Sequence, residues 1–346
     1  MRHIKHAVVS ALATACVCAY AGDSIHLGDY HVTGTYALDS LNGTSGGISG
    51  LEASAVTYAR DRGTLFFVGD EGTGVVEISR SGQTLGSVAF NWAGTGSTNH
   101  DTEGLTYLGG GALVVSEERL YDAYRFDYSA GGTATLANAS VSISNAAVGN
   151  NGLEGISVDP RDGSFLTIKQ QSPEDILAGM LVFAPGAGGV STMSQLFDPA
   201  LLGLASLSDV QTLSPIDALA GTTAADNFLV LSLGSRRLIE VDRQGRIQSS
   251  FDLSGVLPHN AIEGVTVDEN GNIYLVAEQV QDGSNLPSDP PPLSQLIVLS
   301  AGVMAPVPEP ETWALMLAGL GVLGVPRRPL RCRLRPSRDR RRAATS

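Results

Sequence analysis

The sequence predicts an all-β protein, built as a five-bladed β-propeller. Three observations support this fold: a composition that favours short strands, a four-strand unit that repeats along the chain, and unpaired strands at the two ends of the repeats. Of the 346 residues, 41 are glycine and only 16% are charged, and short apolar runs alternate with Gly, Asp and Asn turns. This pattern of short apolar runs between turn residues is typical of strands and argues against long amphipathic helices.

The repeating unit has a period of roughly fifty residues and reads as apolar strand, tight turn, apolar strand, loop and two further strands. The segments GLTYLGGGALVVSEER, GISVDPRDGSFLTIKQ and GVTVDENGNIYLVAEQ align with one another, and AVTYARDRGTLFFVGDEG precedes them in the same form. A fifth copy starts at Ser208 and carries a longer insertion. Five four-stranded units predict five blades around a central channel.

The two ends of the repeat array indicate how the ring closes. The last unit stops after its third strand, at residues 293–300, while residues 30–39 resemble a fourth strand without a blade. Pairing these two strands would remove two exposed sheet edges. The alternatives are a six-bladed count, because residues 185–205 are ambiguous, and a β-sandwich or an open array.

Residues 1–21 have the features of a secretory signal peptide: a basic start, an apolar stretch from Ala7 and an A-x-A cleavage site that ends at Ala21. A lipoprotein reading through Cys16 is the alternative, although Ala-Thr-Ala is a poor approach to a lipidated cysteine. We therefore expect a signal peptide at 1–21, a propeller domain at 22–302 and a separate C-terminal segment at 303–346.

The C-terminal segment joins Pro-Glu-Pro at 308–310 to an apolar run at 313–325 and an arginine-rich tail. This arrangement resembles the PEP-CTERM sorting signal of exported bacterial proteins. The resemblance implies an exosortase-type processing enzyme as a partner, transient membrane anchoring through a short hydrophobic helix at 313–325, and a final location in the cell envelope or outside the cell. The run of 13 residues is shorter than the ~20 that span a bilayer.

The charge of the domain differs from that of the whole chain. Residues 22–305 hold 11 Lys+Arg against 32 Asp+Glu, a formal charge of −21, compared with −13 for all 346 residues. Such a domain repels nucleic acid and anionic lipid and favours cations. The three cysteines, at 16, 18 and 332, lie outside the domain, so we expect no disulfide in it.

A glutamate followed by glycine precedes three of the predicted inner strands, at Glu103, Glu154 and Glu263. Because the first strand of each blade lines the channel, we expect these glutamates to meet at one mouth. Glu52 and Asp209 are the nearest acidic residues in the other two units. A ring of carboxylates without His or Cys favours a hard cation, above all Ca²⁺.

The second strands are predicted to end on the same face, and their last residues are Glu117, Lys169, Ser232 and Glu278. Glu117 and Glu278 are the candidates for a general base, whereas Lys169 would offset negative charge. The alternative for each carboxylate is a purely structural role as an acceptor of backbone N–H groups. His100 and His259 lie shortly before two of the glutamates, and solvated loop histidines are the simpler interpretation than transition-metal ligands.

The ordered motifs LEASAVTYARDRGTLFFVGDE, DTEGLTYLGGGALVVSEERLYDAYRFD, NNGLEGISVDPRDGSFLTIKQ and AIEGVTVDENGNIYLVAEQ resemble the SdiA-regulated (YjiK-like) family, described as calcium-regulated β-propellers. The resemblance covers roughly residues 28–302. It implies a five-bladed propeller, a Ca²⁺ site of acidic residues, kinship with NHL-repeat propellers and no established enzymatic activity.

Three functions remain open at this stage. The first is a non-catalytic Ca²⁺-binding module that binds or senses a small molecule or protein at the cell envelope. The second is a metal-dependent hydrolase, phytase-like or lactonase-like, that uses the carboxylates at the channel mouth. The third is a structural component of the extracellular matrix, which rests on the sorting segment alone.

Overall fold

Five small β-sheets stand in a ring in the computed structural model of the chain. The structure describes residues 23–38, 52–144, 149–186, 188–278 and 294–302. In these ranges the regular elements are strands and short 3-10 turns. The strands are β1 Tyr30–Ala37, β2 Ala53–Ala59, β3 Thr64–Gly69, β4 Gly74–Ile78, β5 Thr84–Asn91, β6 Thr102–Gly109, β7 Ala112–Glu117, β8 Asp122–Asp127, β9 Thr133–Thr135, β10 Ser140–Ser142, β11 Leu153–Val158, β12 Phe165–Lys169, β13 Asp175–Gly179, β14 Leu181–Val182, β15 Val190–Ser191, β16 Ser194–Gln195, β17 Asp209–Thr212, β18 Phe228–Ser232, β19 Arg237–Val241, β20 Ile247–Asp252, β21 Ile262–Val267, β22 Ile273–Ala277 and β23 Gln295–Ala301.

Each sheet is one propeller blade that starts with its innermost strand. Blade 1 is β2-β3-β4-β5, blade 2 is β6-β7-β8-β10, blade 3 is β11-β12-β13-β16, blade 4 is β17-β18-β19-β20 and blade 5 is β21-β22-β23-β1. The inner strands β2, β6, β11, β17 and β21 contact one another in cyclic order, which closes the ring. The predicted five-bladed β-propeller is confirmed.

The N-terminal strand completes the last blade. Strand β1 pairs antiparallel with β23, with Tyr30 opposite Ala301 and Ala37 opposite Gln295. The predicted closure of blade 5 by the first strand is therefore confirmed. This pairing joins two parts of the chain that are far apart in sequence, and it covers the edge that β23 would otherwise expose.

A buried carboxylate in blade 4 anchors the segment that leads into β1. Glu240 is fully buried, and its oxygens accept hydrogen bonds from the backbone N–H of Ile25 at 3.1 Å and from the Ser24 hydroxyl at 2.5 Å. Asn227 Nδ2 at 2.8 Å and Ser249 Oγ at 2.7 Å complete its shell. The N-terminal segment thus spans from blade 4 to blade 5 and ties them together.

Residues 185–205 do not form a sixth blade, so the six-bladed alternative is wrong. Strands β14 and β15 form a small separate hairpin, and β16 is the outer strand of blade 3. The ambiguity arose because two short strands and a 3-10 turn, Pro199–Leu202, follow each other with the spacing of a degenerate repeat.

One strand crosses between blades. Strand β9 lies in the connection from the third to the fourth strand of blade 2, yet it pairs parallel with β5 of blade 1, with Ala89 opposite Thr133. It covers the outer edge of blade 1, which would otherwise be exposed. The repeat pattern does not predict this strand.

Both faces of most blades are buried against their neighbours. Strands β2, β7, β18 and β22 are therefore buried along their whole length. They lack the alternation of buried and exposed residues that is typical of a sheet with one solvent-facing side. Between blades 1 and 2, for example, Phe66, Leu113 and Tyr124 are fully buried in one apolar cluster. This packing between blades stabilises the fold, because apolar burial contributes ~25 cal/mol per Å².

A closed ring of hydrogen bonds joins the five inner strands. In each blade a side chain of the inner strand accepts a hydrogen bond from the next blade. Four of these five side chains carry a hydroxyl group and the fifth is an amide, and we call the set the hydroxyl belt (Thr57, Thr106, Ser157, Gln211 and Thr266). The bonds are Tyr107 N to Thr57 Oγ1, Val158 N to Thr106 Oγ1 and Thr212 N to Ser157 Oγ, each 3.1 Å, Thr266 Oγ1 to Gln211 Oε1, 3.0 Å, and Tyr58 N to Thr266 Oγ1, 3.1 Å.

The proposed signal peptide and the C-terminal segment lie outside the described residues, so their boundaries stay predictions. The same holds for the apolar run at 313–325. Within the part of the chain that the structure describes, no helix is long and apolar enough to cross a membrane.

Candidate functional site

A β-bulge recurs at the start of the inner strands. The pairing with the second strand of the blade shifts by one residue at Glu103 in β6, at Glu154–Gly155 in β11 and at Glu263 in β21. Strand β2 has the same shift at Ser54. The extra residue of a bulge is unpaired, and the bulge re-aims its side chain. The repeated bulge therefore explains why a glutamate can leave the plane of its sheet at the same point in three blades.

The glycine after each glutamate allows neighbouring blades to approach closely. A Cβ atom on Gly104 would lie 2.3 Å from the carbonyl oxygen of Glu154 in blade 3, and one on Gly264 would lie 2.9 Å from the Ser54 carbonyl oxygen in blade 1. A Cβ on Gly155 would meet Oδ1 of Asp209 in blade 4 at 2.4 Å. These distances exclude a side chain, so the Glu-Gly pair brings successive glutamates together at one channel mouth.

The three predicted glutamates do meet at this mouth. Burial raises the pKa of Glu103 well above its usual value, and the charges of Glu154, Glu263, Asp101 and Asp70 raise it further. Burial likewise raises the pKa of Glu154, together with the charge of Glu118 and that of Glu263. The charge of Glu263 thus acts on both Glu103 and Glu154.

A second set of carboxylates follows the second strands. The backbone N–H of Asp70 donates to Glu52 O at 3.1 Å, and that of Glu118 donates to Asp101 O at 2.9 Å. In blade 5 the N–H of Glu278 makes the equivalent bond to Ala261 O at 2.8 Å. Each bond joins the end of the second strand to the residue just before the inner strand, so these positions are equivalent in the three blades.

This register corrects the predicted set of residues at the ends of the second strands. Glu118, and not Glu117, is the counterpart of Glu278. Glu117 is fully buried, and its oxygens accept hydrogen bonds from Ser97 Oγ and from Leu120 N, both at 2.7 Å. A shift of one residue along a strand reverses the side of the sheet to which a side chain belongs. Glu117 consequently supports the loops of blade 2.

Nine carboxylates form one electrostatic group, which we call the acidic mouth. They come from blades 1, 2, 3 and 5. Each of them either raises the pKa of a neighbouring carboxyl group through its charge or has a raised pKa itself. They are Glu52, Asp70, Glu71, Asp101, Glu103, Glu118, Glu154, Glu263 and Glu278.

The densest part of the acidic mouth lies between blades 1 and 2. Asp70, Asp101 and Glu103 each offer an oxygen, and the three atoms lie within 4.8 Å of one another. Glu52, Asp70 and Glu71 form a second such group. Asp70 belongs to both, so it is the centre of the arrangement.

Burial is the main cause of the raised pKa of Asp70, which reaches about 9, and a hydrogen bond with Glu52 and the charges of Glu52, Glu71 and Glu278 add to it. Burial also raises the pKa of Glu118 to about 7. Arg119 offsets part of the charge, since its Nε lies 2.6 Å from Asp101 Oδ2. Without a cation, the Asp70 carboxyl group therefore holds a proton at neutral pH.

Asp209 stands apart from the acidic mouth. It occupies the position of the glycine in the Glu-Gly pair, and its oxygens accept hydrogen bonds from Val265 N at 2.7 Å and Val210 N at 2.8 Å. These bonds lower its pKa, but burial raises it more. In this geometry Asp209 connects blade 4 to blade 5, and blade 4 contributes no carboxylate to the acidic mouth among the residues described.

The remaining predicted residues have structural contacts. Lys169 Nζ donates to the carbonyl oxygens of Gln171 at 2.6 Å and Pro173 at 2.9 Å. The ring of His100 stacks on Trp92, with centroids 5.0 Å apart, and His259 is exposed. Sequence reasoning missed Asp70, Glu71, Asp101 and Glu118, although Asp70 and Glu118 are the residues that directly follow the equivalent strands β3 and β7.

Solved structures with some similarity to this chain have low sequence identity to it. A luciferin-regenerating enzyme is 14% identical, with a TM-score of 0.45 over 78% of this chain and 96% of that one. A streptogramin B lyase is 8% identical, with a TM-score of 0.40 over 79% and 98%. A virginiamycin B lyase from Staphylococcus aureus is 13% identical, with a TM-score of 0.37 over 72% and 66%.

Two sequence families match separate parts of the chain. The PEP-CTERM protein-sorting motif matches residues 306–331, as predicted, and it is a signal for export and sorting in the cell envelope by an exosortase. The profile of the SdiA-regulated family matches residues 28–280, which include all inner strands and the acidic mouth. The chain is thus an exported β-propeller that belongs to the SdiA-regulated family.

Proposed function

We propose that the acidic mouth binds Ca²⁺ and that the protein acts as a non-catalytic binding or sensing module. One observation carries the proposal: oxygens of Asp70, Asp101 and Glu103, from two blades, lie within 4.8 Å of one another. Carboxylates repel at such distances, so the arrangement needs protons or a cation to be stable.

The chemistry of the donor set fits Ca²⁺. This ion takes 6–8 oxygen ligands in a flexible geometry and prefers carboxylates and carbonyls. The acidic mouth offers oxygen donors in excess of that number. Asp70 Oδ1 is also buried and accepts no hydrogen bond from the residues that the structure describes, so an acceptor atom is available for an ion there. Asp70, Asp101 and Glu103 would hold the ion, and Glu154 and Glu263, whose charges act on Glu103, would help to balance the charge of the ion.

A binding role also fits the cleft beside the acidic mouth. A cavity of about 810 Å³ opens next to Glu71 and is lined by Trp92, Ser97 and His100. Its size suits a small ligand or a peptide segment. An ion bound at Asp70 would lie close to this cleft, because Glu71 takes part in both.

Calcium binding is testable on the chain after treatment with chelator. With a dissociation constant near 10⁻⁴ M, in the range of extracellular modules, 10 mM Ca²⁺ should stabilise the fold by about 2.7 kcal/mol. This corresponds to a rise in Tm of roughly 5–10 °C. Calorimetric titration should give about one ion per chain.

Two variants and a control make the test specific. Asp70→Asn and Glu103→Gln should each abolish the Tm shift, whereas Asp127→Asn, at an exposed position of blade 2, should keep it. Absence of a shift in the unaltered chain, or equal shifts in all variants, would rule out the proposed site.

A metal-dependent hydrolase is the second candidate. The observation in its favour is Glu118, whose pKa of about 7 suits a general base or acid next to a bound ion. Glu118 replaces Glu117 and joins Glu278 as a candidate for this role. A screen of lactones, aryl esters and phosphoesters with Ca²⁺ would test it: turnover that is lost in Glu118→Gln, with Ca²⁺ binding retained, would establish the enzyme.

The sorting motif supports a transient stage at the membrane. We propose that residues 313–325 anchor the exported chain until an exosortase-type enzyme cuts near Pro-Glu-Pro at 308–310. Mass spectrometry of the mature protein should find a C-terminus in that region, and recovery of the intact arginine-rich tail would contradict it.

A further inference from the structure

The channel opens into a second cavity on the face opposite the acidic mouth. Inner strands begin at the acidic mouth and end here, and residues from all five blades line a volume of about 500 Å³. Four members of the hydroxyl belt, Thr57, Thr106, Gln211 and Thr266, form its floor. The volume lies within the ~300–1,000 Å³ of small-molecule sites.

The walls of this cavity are apolar, aromatic and rigid. Tyr58 and Tyr107 are the last inner-strand aromatics, and Leu108, Pro215 and Val267 lie beside them. The Tyr107 hydroxyl accepts a bond from Gly111 N at 2.8 Å, and the ring of Tyr58 stacks on Tyr274 with centroids 6.4 Å apart. A cavity held in this way is formed before any ligand arrives, which lowers the entropic cost of binding.

The charged side chains at the rim each have a partner, although Glu269 Oε2 is buried and has no hydrogen-bond partner among the residues described. Arg60 Nη1 lies 2.8 Å from Asp217 Oδ1, and Glu269 Oε1 lies 3.3 Å from Arg80 Nη2. Asp61 Oδ2 accepts a bond from Gly110 N at 3.0 Å. The whole domain carries a formal charge of −21. An anion would have to displace Arg60 from its partner in a repulsive field, so the chemistry favours an uncharged occupant over an anion.

The floor supplies directed hydrogen-bond donors. Thr57 Oγ1 and Thr106 Oγ1 each accept a bond from the backbone of the next blade. Neither hydroxyl donates to an acceptor among the residues described, so each still has a proton to give. An acceptor oxygen at the bottom of the cavity would receive it, since buried donors are paired in native complexes.

We propose that this second cavity binds a small uncharged organic molecule, with its apolar body between the two tyrosines and an acceptor oxygen against the hydroxyls of Thr57 and Thr106. The site is separate from the acidic mouth and does not depend on Ca²⁺. The protein would then have one mouth for a cation and the other for a neutral ligand.

Two dyes of similar size distinguish this chemistry from general apolar adsorption. Nile red is uncharged and planar and carries a carbonyl oxygen, whereas anilinonaphthalene sulfonate is an anion. Titration of the full chain with Nile red in chelator should give a fluorescence gain that saturates at one dye per chain. The anionic dye should bind at least tenfold more weakly.

Variants locate the dye. Val158→Trp on the wall and Pro160→Trp at the exposed rim should each weaken Nile red binding at least tenfold, and the second stays informative if the first does not fold. The matched control is Val182→Trp on the β14–β15 hairpin, 59% exposed and remote from the cavity, which should change affinity less than twofold.

Three results would overturn the proposal. They are the absence of saturable Nile red binding, unchanged affinity in both cavity variants, and loss of binding in Val182→Asp, which would place the dye on the exposed apolar hairpin. Because the titration is done in chelator, failure here says nothing against Ca²⁺ binding at the acidic mouth, and failure of Ca²⁺ binding leaves this test intact.

Discussion

The metal-free protein should lose stability as the pH rises from 5 to 8. The cause lies in the acidic mouth, where Asp70 has a pKa of about 9 in the folded state and an ordinary value near 4 when unfolded. Between these values the folded chain holds a proton that the unfolded chain has released. Rising pH therefore favours the unfolded state.

The size of the effect follows from the number of retained protons. One proton held only by the folded state contributes a slope of about 1.4 kcal/mol per pH unit. Asp70 lies at a partly open channel mouth, so screening by solvent is expected to leave about half of that. Over three pH units the loss is about 2 kcal/mol, or roughly 4–8 °C in Tm. Retained protons on Glu103 and Glu154 would add to it.

Carboxyl groups with a lowered pKa do not titrate between pH 5 and 8, whereas other groups with a raised pKa, such as Asp209 and Asp122, add to the same fall in stability. Glu77 and Asp159 are held by arginines, which lower their pKa. Their contribution to stability is lost only as pH falls below about 4, and it is constant above pH 5. The fall in Tm between pH 5 and 8 thus reports on groups with raised pKa values.

Differential scanning calorimetry in chelator, at steps between pH 5 and 8, measures the effect. Asp70→Asn should flatten the slope and raise Tm at pH 8, because an amide needs no proton. Asp127→Asn should follow the unaltered chain. Saturating Ca²⁺ should reverse the trend, since the ion binds the ionised carboxylates. A Tm that is flat or rises with pH in chelator would refute the reasoning.

Three further predictions concern the fold that supports the site. Gly104→Ala should lower the free energy of unfolding by about 2–3 kcal/mol in chemical denaturation and weaken Ca²⁺ binding, because the added Cβ would lie 2.3 Å from Glu154 O. The control is Gly28→Ala, whose Cβ would have no atom within 4 Å, and equal stability of the two variants would contradict the close approach. Thr106→Val should lower the free energy of unfolding by about 1 kcal/mol, because Val158 N loses its hydrogen-bond acceptor. Thr98→Val, at an exposed position, should leave stability unchanged, and equal effects of the two variants would mean that this hydrogen bond of the hydroxyl belt contributes nothing. Glu240→Ala should release the N-terminal segment and make it sensitive to limited proteolysis, because the segment loses its hydrogen bonds to the carboxylate. The control Asp252→Ala, at an exposed position, should stay resistant, and resistance of Glu240→Ala would show that β1 alone anchors the segment.

Much of the fold follows from local pattern. Five apolar units with turns at Gly163 and Gly271, both at positive φ, repeat closely enough to predict the propeller fold. The sorting motif and the family were recognisable from short motifs in order. The crossing strand β9 was not predictable, because its three residues carry no repeat and its pairing depends on the edge of another blade.

The candidate site was predictable in part. Glu103, Glu154 and Glu263 share a motif, and a motif that repeats at equivalent positions places its residues around the channel. Asp70 and Glu118 lie outside that motif, at the end of a different strand. Finding them requires the register between first and second strands, which the bulges shift by one residue.

The sequence by itself predicted the propeller fold, the closure by β1 and the convergence of three glutamates, because these depend on periodic patterns that any propeller must follow. The structure decided between five blades and six, because β14 and β15 form a separate hairpin and β16 is the outer strand of blade 3. Only the tertiary structure decided that Asp70 is the centre of the acidic mouth, that Asp209 joins blades and lies apart from the acidic mouth, and that a second cavity lies at the other end of the channel. The physical reason is that distances between blades depend on how bulges and glycines let the backbones approach, and no single blade contains that information.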